Sequence, residues 1–135
     1  MIKSEKTIIL KTEIEKIWKV LTDNENTSWR SDLSRVEIID EINFIEYTTK
    51  GVKTEFKITK KQPYEFYEFE IKNENLTGYF TAKLREIENK KTELILTEEV
   101  KVKNPIMRVF AKSYLKKQQQ TYANDIQKTL NGSLN

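Results

Sequence analysis

The chain predicts an α+β fold in which an antiparallel meander is covered on one face by a long C-terminal helix, and three observations carry this. From Ser34 onward apolar residues recur at every second position, in runs separated by short breaks at Lys50-Gly51, Gln62-Pro63, Asn73-Glu74 and Asn89-Lys90-Lys91. Breaks this short join antiparallel neighbours, because a parallel crossover needs about a dozen residues or more. Between Pro105 and Gly132 the pattern changes to helical spacing. Strand parity then gathers the large apolar side chains on one sheet face, and only the C-terminal helix is long enough to cover it.

The first strand is expected over Lys3–Lys11, with Ile8 and Leu10 facing the core. Thr12-Glu13-Ile14-Glu15 has the form of a capping box, in which hydroxyl and carboxylate satisfy each other's orphan backbone N–H groups. Ile14, Ile17, Trp18 and Leu21 follow at i, i+3, i+4 and i+7 and predict an amphipathic helix ending near Asp23. Asn24 to Asp32 is polar except for Trp29 and is expected to be a loop with one short helical turn, capped by Asn26 or Thr27.

Six further strands are predicted at 35–40, 43–49, 52–60, 64–72, 76–88 and 92–102. Val52, Thr54, Phe56 and Ile58 share a face opposite Lys53, Glu55 and Lys57. A tight turn at Gln62-Pro63 would pair Ile58 with Tyr67 and Phe56 with Phe69, and one at Asn73-Glu74 would pair Phe69 with Gly78 and Tyr67 with Phe80. The last hairpin stays in phase only with an odd loop, Asn89-Lys90-Lys91, which would set Leu84 against Leu96, Ala82 against Glu98 and Phe80 against Val100. Phe44 and Ile45 point to opposite sides, and the pattern does not choose between them. The C-terminal helix is predicted as one rod from Pro105, capped by Asn104 and stopped at Gly132, burying Met107, Ala111, Tyr114/Leu115, Gln118, Tyr122, Ile126 and Thr129. Lys112, Lys116, Lys117, Gln120, Asn124 and Gln127 form its solvated face.

Composition limits the function classes. At 135 residues, 37% hydrophobic and 33% charged, the chain reads as a single globular domain spanning residues 1–135. No run approaches the roughly 18 apolar residues of a membrane span, so insertion into a membrane is not expected. Met1–Leu10 lacks a signal-peptide core, and a cytoplasmic location is the expectation. With no cysteine and no histidine, thiolate and imidazole nucleophiles, disulfides and the usual zinc ligand sets are excluded. Proton transfer would have to use Asp, Glu, Tyr or Lys. No metal or cofactor motif is present. The net charge of +3 is mild and no stretch interleaves bases with stacking aromatics, so nucleic acid is not an expected partner.

A strand, the helix Glu-Ile-Glu-Lys-Ile-Trp-Lys-Val-Leu-Thr-Asp (residues 13–23), an isolated Trp29, a meander and a long terminal helix resemble the START-like (SRPBCC) superfamily, which includes Bet v 1-like proteins and the bacterial polyketide cyclase/dehydrase-like branch. The resemblance spans nearly the whole chain and implies a helix-grip fold. This is a curved seven-stranded antiparallel sheet around the last helix, with two short helices between strands 1 and 2 and a hydrophobic cavity. Lys11-Thr12 stands where an Ala-Pro pair often precedes the first helix, and Gly51 stands alone where the plant allergens have a glycine-rich loop. The bacterial branch fits better, and it supplies no catalytic residue to carry over.

Glu98 is the most informative candidate. In phase with Leu94, Leu96, Val100 and Val102, an unbroken strand turns its carboxylate inward, where burial disfavours the charged form. A β-bulge at Glu98-Glu99 would instead turn it to solvent. Gln118, flanked by Tyr114 and Tyr122, forms either a row of hydrogen-bonding groups along a pocket or the polar edge of a core. Trp29 either gates the cavity or plugs its end. Phe56, Tyr67, Phe69 and Phe80 are core residues first and ligand contacts if the cavity is open.

Three functions remain open. The first is a cofactor-free carrier or sensor binding a small hydrophobic or amphipathic molecule between sheet and helix. The second is a cyclase- or hydrolase-like enzyme using Glu98 and a tyrosine hydroxyl as acid and base, against which the missing histidine and the lack of a catalytic motif weigh. The third is a protein-interaction module, co-chaperone-like or ribosome-associated, with a filled interior.

Overall fold

The computed structural model describes residues 1–132. Strand β1 (Ile2–Leu10) leads through helix α1 (Ile14–Thr22) to β2 (Leu33–Ile38), β3 (Asn43–Thr48), β4 (Lys53–Gln62), β5 (Phe66–Lys72), β6 (Leu76–Glu88) and β7 (Lys91–Val102), followed by α2 (Pro105–Arg108) and α3 (Ala111–Gly132). The seven strands form one antiparallel sheet in the order β1-β7-β6-β5-β4-β3-β2. β1 returns to pair with β7, so the meander's last strand lies inside the sheet and its side chains are covered on both flanks.

Every strand is found where the alternation places it, but the register differs by two residues in three hairpins. Phe56 pairs with Ile71 and Ile58 with Phe69. Phe69 pairs with Phe80 and Tyr67 with Ala82. Phe80 pairs with Glu98, Ala82 with Leu96 and Leu84 with Leu94. A two-residue slip leaves each side chain on its predicted face, so parity survives where partner identity does not. The odd residue that keeps β6 and β7 in phase comes from a bulge between Glu86 and Glu88, not from a three-residue loop. Lys90 completes that tight turn at a φ of 57°. Gly78 faces Ile71 and Val100 rather than Phe69. A Cβ there would run into the Glu99 carbonyl oxygen, so glycine permits a close approach of the β7 backbone.

Three local expectations are overturned. No side chain caps α1: its N-cap is Glu13, and the Thr12 hydroxyl is buried with no hydrogen-bond partner among the described residues. The Thr12 carbonyl accepts a bond from Thr92 Oγ1 on β7, so tertiary contact fixes this residue and the capping box does not form. Between α1 and β2 the chain makes turns, one closed on Asp23 Oδ1 by Glu25 and Asn26 N–H and one by Arg30 N–H donating to Thr27 O at 3.0 Å, and no second helix. The C-terminal rod is broken: Phe110 N–H donates to Met107 O three residues back, tightening the chain after α2 before α3 begins. Asn104 does cap α2, accepting from Ile106 N.

The buried face of α3 is Ala111, Leu115, Gln119, Ala123, Ile126 and Leu130, with Tyr122 partly covered. Met107 and Tyr114 are exposed, and Gln118 is partly covered. The buried stripe therefore holds Gln119 and not Gln118. Gln119 grips β1 from both ends: Ser4 Oγ donates to its Oε1 at 2.8 Å, and its Nε2 donates to Ser4 O at 2.9 Å. One part of the core joins Ile17, Trp18, Leu21, Tyr67, Leu94, Leu96 and Ile126, and a second joins Ile71, Val100, Val102, Ala111 and Leu115, with Phe69 packed against both. The structure thus has the START-like helix-grip architecture, an open seven-stranded antiparallel sheet against a long C-terminal helix.

Candidate functional site

Between the two parts of the core lies a cavity of about 120 Å3. Its apolar wall is a run of rings that follows from strand parity. Phe44 stacks on its cross-strand partner Phe56 at 4.9 Å, Phe69 stacks on its partner Phe80 at 4.8 Å, and Phe56 meets Phe69 edge-on at 5.0 Å. The run continues across to α3, where Phe80 lies 5.9 Å from Tyr122, and ends in the loop after α1, with Trp29 edge-on to Tyr122 at 5.2 Å. Phe44 is therefore the inward residue of β3, and Ile45 faces outward.

Choosing Phe44 also turns Glu46 inward, two residues along the same strand. Glu46 meets Arg30, whose guanidinium holds Asp32 with two parallel bonds of 3.0 Å, approaches Glu46 at 3.5 Å and lies 4.8 Å over the Tyr122 ring. Burial pulls the Arg30 pKa down, but Glu46 and the Asp32 hydrogen bond outweigh it and the group stays cationic. Burial pushes Glu46 up more than Arg30 draws it down. The loop carrying Trp29 and Arg30 is tied at both ends. Ser31 donates from its N–H and its hydroxyl to Asp125 Oδ2 on α3, at 2.8 and 2.9 Å, and Asn24 Nδ2 donates to the Tyr67 hydroxyl at 3.2 Å.

Glu98 lines the cavity. The β6–β7 ladder runs without a shift through Phe80–Glu98 and Tyr79–Glu99, so the bulge that would have turned it to solvent does not form. Burial, opposed by Arg30 and reinforced by Glu46, pushes its carboxyl up to about 7. No hydrogen bond or ion pair to its carboxylate forms among the described residues. Tyr114 and Gln118 line the opposite side, joined by a 2.9 Å bond from Gln118 Nε2 to the Tyr114 hydroxyl. Burial, then the charge of Glu98, raises the Tyr114 pKa, and burial raises that of Tyr122.

The cavity thus brings together Trp29, Phe56, Phe69, Phe80, Glu98, Tyr114, Gln118 and Tyr122. Tyr67 stays outside it, 2% exposed in the core with Trp18 6.0 Å away. Arg30, Asp32 and Glu46 are lining residues that the sequence reading missed. Settling the Phe44/Ile45 choice would have found Glu46. Arg30 has a local acceptor in Asp32, two residues on, but Glu46, the second acid it meets in the cavity wall, lies across a turn and two strand segments. Chemically, the site offers aromatic walls, one cation balanced by two acids, and one carboxyl without a partner.

No protein-family model matches the sequence, and no curated protein matches it. Solved structures do. A START superfamily protein from Mycobacterium smegmatis superposes with a TM-score of 0.87 at 10% identity, over 96% of this chain and 97% of that one. The Zhui aromatase/cyclase from a Streptomyces species gives 0.88 at 11% identity, over 98% and 95%. A conserved protein from Geobacillus kaustophilus gives 0.85 at 17% identity, over 98% and 97%. At these identities the likeness is one of fold: the chain has the START-like, polyketide-cyclase-like fold.

Proposed function

We propose that the chain is a cytoplasmic single-domain carrier or sensor that holds one small amphipathic molecule in the cavity between sheet and α3. The observation that carries this reading is Glu98, a carboxyl without a protein partner facing an aromatic-walled hollow, where a ligand donor would supply the missing hydrogen bond. A void of about 120 Å3 suits a single six-membered ring, given that a dry cavity of about 150 Å3 takes up benzene. The aromatic run holds the ring, while Glu98, Gln118 and Tyr122 orient its polar end. A second reading, an enzyme with Glu98 and Tyr114 as acid and base, draws on the carboxyl being pushed up to about 7, close to the pH at which it would work.

The test is native mass spectrometry of the purified chain for a retained molecule, followed by calorimetric titration with toluene, phenol, benzylamine and benzoate. Phenol and benzylamine should bind more tightly than toluene, and benzoate least. Glu98→Gln should level the preference for benzylamine. Absence of both a retained molecule and probe binding refutes the carrier reading. Turnover of a retained molecule, lost in Glu98→Gln with binding kept, selects the enzyme.

A further inference from the structure

The α2 turn exposes more large apolar side chains than folding can account for. Ile106 is 75% exposed, Val109 78% and Phe110 68%, with Met107 beside them at 40%. The turn is held in place, so this is not fraying. The Asn104 side chain caps its start, Arg108 N–H donates to Asn104 O at 3.1 Å, and Phe110 N–H donates to Met107 O at 3.1 Å. A fixed apolar protrusion of four neighbouring large side chains in water is uncommon on a protein surface that meets only solvent.

The charged residues that flank it in sequence are of one sign. From Val100 to Asn124 there is no Asp or Glu, while Lys101, Lys103, Arg108, Lys112, Lys116 and Lys117 all lie in that stretch, and all six are exposed. The chain as a whole carries 24 basic and 21 acidic residues, so this segregation is local and is not a reflection of the overall balance. Glu74 lies in the turn whose Asn75 carbonyl accepts from Lys103 N–H, next to that edge.

We propose that the Pro105–Phe110 turn and the first turns of α3 form a peripheral docking site for an anionic lipid surface. Ile106, Val109 and Phe110 enter the boundary between headgroups and acyl chains, and the surrounding lysines and Arg108 lie on the anionic headgroups. Shallow docking of this kind needs no spanning segment, and none of the described helices is long and apolar enough to cross a bilayer. Charge selects this occupant over the others. A second copy packed on the same face would bring the basic residues against their own copies, and a nucleic acid would leave the apolar tip in water. Tyr114, one turn beyond Phe110, lines the cavity and is half exposed, so the docked face adjoins the cavity wall. Docking itself does not depend on the carrier reading.

The test is co-sedimentation of the full chain with phosphatidylcholine vesicles and with vesicles in which about a third of the lipid is phosphatidylglycerol. Binding should appear with the anionic vesicles, and raising salt should weaken it. Val109→Ser with Phe110→Ser should weaken binding at least tenfold, from roughly 0.8 kcal/mol per buried methylene. Lys112→Glu and Lys116→Glu should cost roughly fivefold or more each. Lys57→Glu on the outer face of β4, which changes net charge equally, should leave binding unchanged. Circular dichroism of each variant separates lost docking from lost fold. Failure to bind anionic vesicles at low salt overturns the proposal. So does binding that Val109→Ser/Phe110→Ser leaves intact, which would be nonspecific adhesion of a basic protein. A concentration-dependent dimer abolished by the same variant, or tighter binding to single-stranded RNA than to vesicles, assigns the face to another partner. Glu98→Gln, which probes the cavity, should bind vesicles as the parent does.

Discussion

Replacing Glu98 by Gln should stabilise the protein, and by an amount that depends on pH. The carboxyl is pushed from 4.5 to about 7 because folding shields it from bulk water and Glu46 adds to the effect, with Arg30 compensating only in part. The folded state therefore holds its proton more tightly than the unfolded chain does. Below pH 4.5 both states are protonated and the group contributes no penalty. As pH rises from 4.5 to about 7 the unfolded chain ionises first, and stability falls. Above that range the full penalty remains. At about 1.4 kcal/mol per pH unit, it amounts to about 3 kcal/mol. Gln keeps the shape and cannot ionise, so the variant should match the parent at acid pH and exceed it by about 3 kcal/mol at about pH 8. Urea unfolding of both proteins across this range measures the gap, and taking the difference largely cancels the contribution of carboxyls away from the site, such as Asp40, which shifts the opposite way. A gap that does not change with pH, or a Gln variant less stable than the parent at pH 8 by ~1 kcal/mol or more, would show that the carboxylate is satisfied and the reasoning wrong.

Arg30→Met should destabilise by about 3 kcal/mol at neutral pH, because Asp32 and Glu46 lose their common partner inside the site. The loss should shrink in acid as Glu46 takes up a proton, which thermal melts across pH will report. Gln119→Ala should cost about 2–3 kcal/mol by stranding the Ser4 carbonyl under α3, whereas Gln120→Ala on the solvated face should cost under about 0.5 kcal/mol in the same denaturation assay. Gly78→Ala forces a methyl against the Glu99 carbonyl and to 2.8 Å from Val100 Cα, and should lower stability by about 2–4 kcal/mol, most directly seen as a drop in Tm.

The faces of β4 to β7, the extent of each strand to within about two residues and the covering role of the last helix were legible in one dimension, because side-chain direction in a strand alternates with period two whatever its neighbour does, whereas on β3 the adjacent Phe44 and Ile45 left the face open. That regularity placed Phe56, Phe69, Phe80 and Glu98 on one wall without knowledge of which residues pair. Partner identity was not legible, since a hairpin slipped by two residues buries the same side chains, and the bulges at Ile58–Lys60 and Glu86–Glu88 that set the true register leave no local mark. Thr12 had the sequence of a cap and lost it to Thr92, a contact across the fold.

The helix was harder to read than the strands. A 3.6-residue period smears over neighbouring positions, so a chain containing Gln118, Gln119 and Gln120 in succession does not say which amide turns inward. The choice was made by β1, whose Ser4 presents a donor and an acceptor to Gln119. The charged part of the cavity was decided in the same way. Arg30, Asp32 and Glu46 are ordinary surface residues in sequence, and only the closure of the loop onto α3 through Ser31 and Asp125 carries the guanidinium into the site. What the sequence determined alone was pattern, which depends on local backbone geometry. What the tertiary structure decided was partnership, because desolvation and hydrogen-bond pairing depend on groups that the chain brings together only when it closes.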